Sequence, residues 1–68
     1  MTWSELTEIS GRKLYLNMEE IYLIEEYQWT GGIGSVLTSK IRDKEGRPIK
    51  FQVRETAQDI VRQAVLAS

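Results

Sequence analysis

Apolar and polar positions alternate along several short stretches of the chain, which is the pattern of half-buried strands. Residues 49–54 show it most plainly, because every apolar residue in IKFQVR is followed by a polar one. Residues 12–16 alternate in the same way, and residues 3–9 mix apolar with β-branched side chains. Ser10 and Gly11 separate these two segments as a turn, so a first β-hairpin is predicted there.

Residues 11–26, GRKLYLNMEEIYLIEE, are compatible with one helix or with two strands. A helix would bury apolar residues at spacings of three and four, but the series through Leu14 and Met18 reaches Glu25. The apolar run at residues 21–24 would also surround such a helix on all sides. The helical interpretation therefore leaves no continuous apolar stripe.

Asn17 and Glu20 favour the two-strand interpretation. Their spacing is that of a capping box, in which short polar side chains satisfy the free amides of a first helical turn. We predict one turn at residues 18–20 and then a strand from Ile21 to Trp29. Alternation in that strand places Ile21, Leu23, Glu25, Tyr27 and Trp29 on one face, and Tyr22, Ile24, Glu26 and Gln28 on the other.

The second half of the chain adds another hairpin. Residues 30–34, TGGIG, predict a flexible loop because of their glycines. Residues 35–42 are rich in strand-forming side chains. Residues 43–46, DKEG, predict a tight turn that joins this strand to the strand of residues 49–54.

The last residues carry the pattern of an amphipathic helix. Five apolar residues recur with helical spacing and form one stripe: Ala57, Ile60, Val61, Ala64 and Val65. Thr56, with Asp59 three residues later, is an N-cap signature. A helix this short is marginal by itself, so we expect it to pack on the sheet.

These elements predict the α+β class and one small domain over residues 1–68. Its architecture is an antiparallel sheet of about five strands, connected as a meander, with one C-terminal helix packed on it. Because a chain of this size has a small core, self-association is an expected source of further stability.

The composition narrows the chemistry, because the chain contains no cysteine and no histidine. Without cysteine there are no disulfides and no thiolate metal sites, and without histidine the commonest general base and zinc ligand are missing. Adjacent glutamates such as Glu25 and Glu26 point to opposite faces of a strand, so they do not converge on a metal. We therefore expect a protein that is not an enzyme and has no metal, cofactor or small-molecule substrate.

No apolar run approaches the ~20 residues needed to span a bilayer, so no membrane span is predicted. Residues 1–10, MTWSELTEIS, also lack the pattern of a signal peptide. A cytoplasmic location is the resulting expectation.

Charge is distributed unevenly along the sequence. Residues 1–34 hold two basic residues and six glutamates, whereas residues 35–68 hold seven basic and four acidic residues. Such polarity suits head-to-tail contacts between subunits or contacts with acidic partners.

Six residues are candidates for an interaction surface: Tyr15, Tyr22, Lys40, Arg42, Lys50 and Arg54. The two tyrosines share strand faces with charged residues, and tyrosine is enriched in interface hot spots. The four basic residues project from the hairpin of residues 36–54, where they could track a nucleic-acid backbone beside nearby aromatic side chains. The net charge of −1 and the pI of about 5.3 argue against that partner, because nucleic-acid-binding domains are usually strongly basic.

Two groups of motifs carry a family resemblance. The first is TEISG at residues 7–11, LYLN at residues 14–17, Ile21, and IE at residues 24–25. The second is VRET at residues 53–56, followed by Asp59 and Ile60. The first group resembles, without gaps, the pattern T-x-L-N-G-x-x-F-x-L-N-x-x-x-I-x-x-I-E of the FlbD/SwrD family of small flagellar and swarming-motility proteins. The second resembles that family's V-x-E-S-x-E-E-V entry to its terminal helix, while the central hairpin is longer than the family's.

The resemblance implies a non-enzymatic accessory protein that acts through protein contacts in motility, and it supplies no catalytic residues. The leading hypothesis is therefore a small interaction module that binds a protein partner or itself. One alternative is a structural or adaptor subunit of a phage or other homo-oligomeric assembly. A second is a nucleic-acid-binding β domain that uses the hairpin of residues 36–54.

Overall fold

The computed structural model describes residues 3–67, and of residues 64–67 it describes only the backbone. Five strands, one 3-10 turn and one helix follow each other along this part of the chain. They are β1 (Trp3–Thr7), β2 (Lys13–Asn17), the 3-10 turn (Met18–Glu20), β3 (Ile21–Trp29), β4 (Gly32–Arg42), β5 (Pro48–Val53) and α1 (Ala57–Ala67). The α+β class is confirmed.

The strands form two antiparallel sheets, so the prediction of one five-stranded meander is only partly right. β1 pairs with β2, and β3, β4 and β5 form a separate three-stranded meander. β2 and β3 belong to different sheets, and the 3-10 turn leads the chain from one to the other. The two sheets meet instead at an isolated bridge between Glu8 and Val53, which brings the end of β1 beside β5.

Main-chain and side-chain hydrogen bonds hold this junction together. The N–H of Arg54 donates to the carbonyl oxygen of Thr7 at 2.7 Å, and the N–H of Ile9 donates to the carbonyl oxygen of Gln52 at 3.1 Å. The Glu55 carboxylate accepts the N–H of Thr7 at 2.8 and 3.0 Å through its two oxygens. The residues just after β5 therefore position the end of β1.

The core lies between the hairpin, the three-stranded sheet and the helix. Its fully buried apolar side chains are Leu6 in β1, Leu37 in β4, Val53 in β5 and Ile60 in α1. Six partly buried side chains pack around them: Leu14, Leu16, Met18, Ile21, Ile24 and Phe51. The buried hydroxyl of Ser35 donates to the carbonyl oxygen of Glu55 at 2.8 Å, so this polar group is satisfied inside the core.

Residues 11–26, which were compatible with one helix or two strands, form a strand, a 3-10 turn and a second strand. The side-chain oxygen of Asn17 accepts the N–H of Glu19 at 3.0 Å, which confirms the predicted capped turn. The predicted alternation of β3 is wrong at its start, because the pairing with β4 shifts between Ile21 and Leu23. This β-bulge puts Ile21 on the same side as Ile24, and both pack against the core.

The predicted loop at residues 30–34 is shorter than expected, because β4 begins at Gly32.

Gly34 lies where the backbone of β5 approaches β4 closely. A methyl group at Gly34 would overlap the carbonyl oxygen of Val53. Glycine is thus needed here for space between two paired strands.

The second hairpin turn is confirmed at the predicted residues. The carboxylate of Asp43 accepts the N–H groups of Glu45 and Arg47, each at 2.9 Å. Gly46 has a φ of 82°, a backbone conformation that favours glycine. The hydrogen bonds accepted by Asp43 and the backbone conformation of Gly46 together stabilise this turn.

The N-cap of helix α1 is confirmed, because the Thr56 hydroxyl accepts the N–H of Asp59 at 3.2 Å. The apolar stripe is only partly right. Ile60 is fully buried, whereas Val61 is 52% exposed. Ala57 is partly buried, and the side chains of Ala64 and Val65 lie outside the described residues.

Replacement of Gly34 by alanine is expected to lower the free energy of unfolding by about 1–3 kcal/mol, the usual cost of overpacking. The Val53 carbonyl belongs to the strand beside Gly34 and cannot move without disturbing the sheet. Urea denaturation measures the effect. Ile33→Ala is the control, because the neighbouring Ile33 is 54% exposed and its truncation should change stability by less than about 0.5 kcal/mol. Equal stability of the two variants would contradict the argument.

Replacement of Thr38 by valine is expected to raise the free energy of unfolding by about 1 kcal/mol. The hydroxyl oxygen of Thr38 is buried and has no hydrogen-bond partner among the described residues. Valine has the same shape and removes the unpaired polar group. Thr30→Val, at an exposed turn position, serves as control in the same denaturation experiment. A loss of stability in Thr38→Val would show that the hydroxyl has a partner in solution.

Candidate interaction surface

An open cleft of about 520 Å³ lies between the β1–β2 hairpin and the three-stranded sheet. We call it the hairpin cleft. Its apolar walls come from Leu16, Ile21, Ile41 and Phe51, its exposed aromatic side chains are Trp3 and Tyr15, and its polar side chains are Asn17, Glu20 and Ser39. Residues of all five strands and of the 3-10 turn thus contribute to one surface.

The pairing of β1 with β2 places the two aromatic side chains beside each other. Trp3 lies opposite Asn17 and Glu5 lies opposite Tyr15, so these four residues share the outer face of the hairpin. Trp3 and Tyr15 are diagonal neighbours in this ladder, a separation of about 7–8 Å that large rings can bridge. Ser4 and Leu6 alternate with them and point inward, where they are buried.

Ile41 lies at the cleft near the end of β4, where the strand is irregular. The pairing with β5 shifts between Thr38 and Arg42, and Ser39 stabilises the irregularity. The Ser39 hydroxyl accepts the N–H of Ile41 at 2.9 Å and lies 3.2 Å from the Ile41 carbonyl oxygen as a donor. Three large side chains at the cleft are open to solvent: Trp3 is 55% exposed, Tyr15 65% and Ile41 53%.

Glu20 supplies the charge at the hairpin cleft. It is the last residue of the 3-10 turn that Asn17 caps, so the cap fixes its backbone at the edge of the cleft. No ion pair joins Glu20 to a basic side chain within residues 3–67. No lysine or arginine is among the described residues that line the cleft, so its charge is negative.

Of the six residues predicted as an interaction surface, Tyr15 alone lines the hairpin cleft. Tyr22 is 60% exposed but lies at the bulge of β3, outside the cleft. The structure therefore does not bring the two tyrosines together.

Two of the predicted basic residues make internal contacts. Arg42 donates to the carbonyl oxygen of Gly46 at 2.7 Å, within the hairpin turn. Arg54 donates to the carbonyl oxygen of Ile9 at 2.8 and 3.1 Å, and its guanidinium lies 5.1 Å from the centre of the Trp29 ring. Both side chains thus contribute to the fold, at the turn and at the junction.

The other two basic residues, Lys40 and Lys50, are exposed and form no ion pair within the described part of the chain. Lys50 lines a second cleft of about 520 Å³, together with Glu8, Ser10 and Gln52. This second cleft contains charges of both signs, on Glu8 and Lys50, whereas the hairpin cleft contains only the negative charge of Glu20 among its described residues.

Glu8 is the residue whose titration the fold changes most clearly. The Ser10 hydroxyl donates to its carboxylate at 2.7 Å, and Arg12 pairs with it at 3.2 Å. The hydrogen bond from Ser10, aided by the positive charge of Arg12, holds the pKa of Glu8 below the usual glutamate range against an opposing effect of burial.

Sequence reasoning did not nominate Trp3 or Ile41. The exposed position of Trp3 could have been predicted from the β1–β2 hairpin, because Trp3 lies on the face of β1 opposite to Ser4 and Leu6. Ile41 lies in the irregular part of β4, which the pattern of residues 35–42 does not reveal.

Three further findings concern metal binding, membrane spans and similarity to known proteins. Within residues 3–67, no three acidic side chains cluster closely enough to hold a metal ion. The helix found in the same range lacks the length and apolar character required to cross a membrane. Comparisons with protein-family models, curated proteins and solved structures gave no match to this chain.

Replacement of Ser10 by alanine is expected to raise the pKa of Glu8 toward the ordinary glutamate value, because the largest cause of its lowering is removed. A carboxyl group with a lowered pKa stabilises the fold above its unfolded pKa, and this contribution is lost as the pH falls through the folded value. The Ser10 effect on stability should therefore disappear in acid. An NMR pH titration of the Glu8 carboxyl measures the shift, with Thr30→Ala as a remote control. An unchanged Glu8 pKa in the Ser10 variant would contradict this assignment.

Proposed function

We propose that this chain is a non-enzymatic protein–protein interaction module that binds its partner through the hairpin cleft. The observation that carries the proposal is the grouping of Trp3, Tyr15 and Ile41, each more than half exposed, at one open cleft. Scattered apolar side chains are normal on a protein surface, but a contiguous group around a depression is typical of a binding site.

The residue types suit protein recognition. Tryptophan and tyrosine dominate interface hot spots because they offer large apolar faces at a small cost in conformational entropy. Ordered strands support the rings of Trp3 and Tyr15, so little order has to be gained on binding. The cleft can thus receive a side chain of the partner while the two rings cover its flanks.

The polar groups of the cleft favour binding over chemistry. The Asn17 side chain caps the 3-10 turn, and the Ser39 hydroxyl contacts the backbone of Ile41. These two groups therefore already serve the fold. The remaining polar side chain, Glu20, has no histidine, lysine or second carboxylate beside it among the described residues of the cleft.

The resemblance of residues 7–25 and 53–60 to the FlbD/SwrD family supports a context for this binding. An accessory role in flagellar or swarming motility is the setting that we propose. The alternative setting is a subunit of a homo-oligomeric assembly, such as a phage particle. In that case the partner at the hairpin cleft is a second copy of the chain.

Ile41→Asp is expected to weaken partner binding by about 2 kcal/mol, or roughly 30-fold, the loss typical of a hot-spot residue. The partner is first identified by photo-crosslinking from a benzophenone amino acid at position 15, with position 28 on β3 as the control site. Affinity is then measured by calorimetry with both proteins purified.

Ile33→Asp is the matched control, because Ile33 is 54% exposed on the same strand as Ile41 but does not line the hairpin cleft. Its affinity should equal that of the unchanged chain. Equal losses in both variants, or crosslinks at position 28 in place of position 15, would refute the hairpin cleft as the binding site. The identity of the crosslinked protein distinguishes a different protein from a second copy.

A further inference from the structure

We propose that the hairpin cleft binds the side chain of an arginine or lysine presented by the protein partner. This inference rests on the proposed function and adds the chemistry of the partner. Its basis is the combination of apolar walls, two exposed aromatic rings and one uncompensated carboxylate in a single cleft.

The walls and the charge require an occupant with two parts. Leu16, Ile41 and Phe51 offer contact to a hydrocarbon chain, whereas Glu20 offers a negative charge at the edge. Lysine and arginine have this form, because an apolar stem carries a cationic end that remains near water. An acidic side chain would be repelled by Glu20, and a purely apolar one would desolvate the carboxylate without compensation.

The two rings add an attraction for cations. A guanidinium or ammonium group within about 6 Å of an aromatic ring centre is attracted by the negative face of the ring. The chain already contains one such contact, in which the Arg54 guanidinium lies 5.1 Å from the centre of the Trp29 ring. Trp3 and Tyr15 are more exposed than Trp29 and offer their surfaces to a cation from outside.

The chain does not fill the cleft with a described cation of its own. Lys13 shares the outer face of the hairpin with Trp3 and Tyr15, but its ammonium group lies 3.8 Å from the Glu5 carboxylate and 3.4 Å from the Thr7 hydroxyl. Lys13 therefore compensates Glu5, and its own position opposite Thr7 is at the far end of the hairpin from Trp3. Glu20 is left to compensate a charge supplied by the partner.

The test uses four tripeptides, N-acetyl-Ala-Xaa-Ala-amide, in which Xaa is arginine, lysine, norleucine or glutamate. Each is titrated into the ¹⁵N-labelled full chain at millimolar concentrations. The arginine and lysine peptides should shift the resonances of Trp3, Tyr15 and Ile41 and saturate. The norleucine peptide should bind about fivefold more weakly, and the glutamate peptide should cause no saturable shift.

Two variants separate charge from shape. Glu20→Gln should weaken binding of the arginine peptide by about fivefold and leave the norleucine peptide unaffected. Glu19→Gln is its matched control, because Glu19 is the exposed neighbour that does not line the cleft. Trp3→Leu keeps an apolar side chain and removes the ring, so it too should weaken the arginine peptide selectively.

The outcomes distinguish this inference from the proposed function. Norleucine binding as tight as arginine binding, or equal effects of Glu20→Gln and Glu19→Gln, would overturn the preference for a cation and leave the cleft as an apolar binding site. The absence of any saturable shift with all four peptides would overturn the inference. Failure of position 15 to crosslink a partner would in addition refute the proposed function.

Discussion

The attachment of the first hairpin to the end of β5 is the constraint on which the rest of the structure depends. Only a bridge at Glu8 and Val53 joins the two described sheets, so neighbouring groups must supply the remaining bonds. Glu55 does so in two directions: its carboxylate accepts the N–H of Thr7, and its carbonyl oxygen accepts the hydroxyl of the buried Ser35. Arg54 adds its bonds to Ile9. Leu6 and Ile60 are enclosed because this junction brings the hairpin over the sheet and the helix.

Local patterns were enough to predict most elements, because each has its own chemical signal. Asn17 marked the 3-10 turn, DKEG marked the second hairpin, and Thr56 marked the start of the helix. The pairing of strands had no such signal. Alternation shows that a segment is half buried, but it does not show which strand lies beside it. A single meander, in which each strand pairs with the next, was therefore the simplest prediction for five strands. The bulge of β3 and the early start of β4 depend on contacts with distant residues, such as that between Gly34 and Val53.

The candidate site likewise contains residues that the sequence predicts and features that it does not. Tyr15 was predicted from its residue type and its place on a strand face, and it lines the hairpin cleft. Arg54 was predicted as part of an interaction surface, and the structure adds that its guanidinium contacts Ile9 and Trp29. Sequence gives the charge of a side chain but not its nearest acceptor, which here is a carbonyl group 45 residues away in the chain. Ile41 lines the cleft beside residues of four other strands and the 3-10 turn, a neighbourhood that the pattern of β4 alone does not reveal.

The composition of the hairpin cleft links recognition to folding. Its walls belong to both sheets and to the 3-10 turn, so the cleft exists only while the hairpin is docked. A molecule that fills the cleft contacts both sheets at once. It therefore adds a second connection between them, besides the bridge at Glu8 and Val53. Each tenfold excess of free ligand over its dissociation constant then adds about 1.4 kcal/mol to the stability of the folded state. Thermal melting of the unlabelled chain thus becomes a reporter of occupancy, which lets unknown partners be screened by the temperature at which this small fold unfolds.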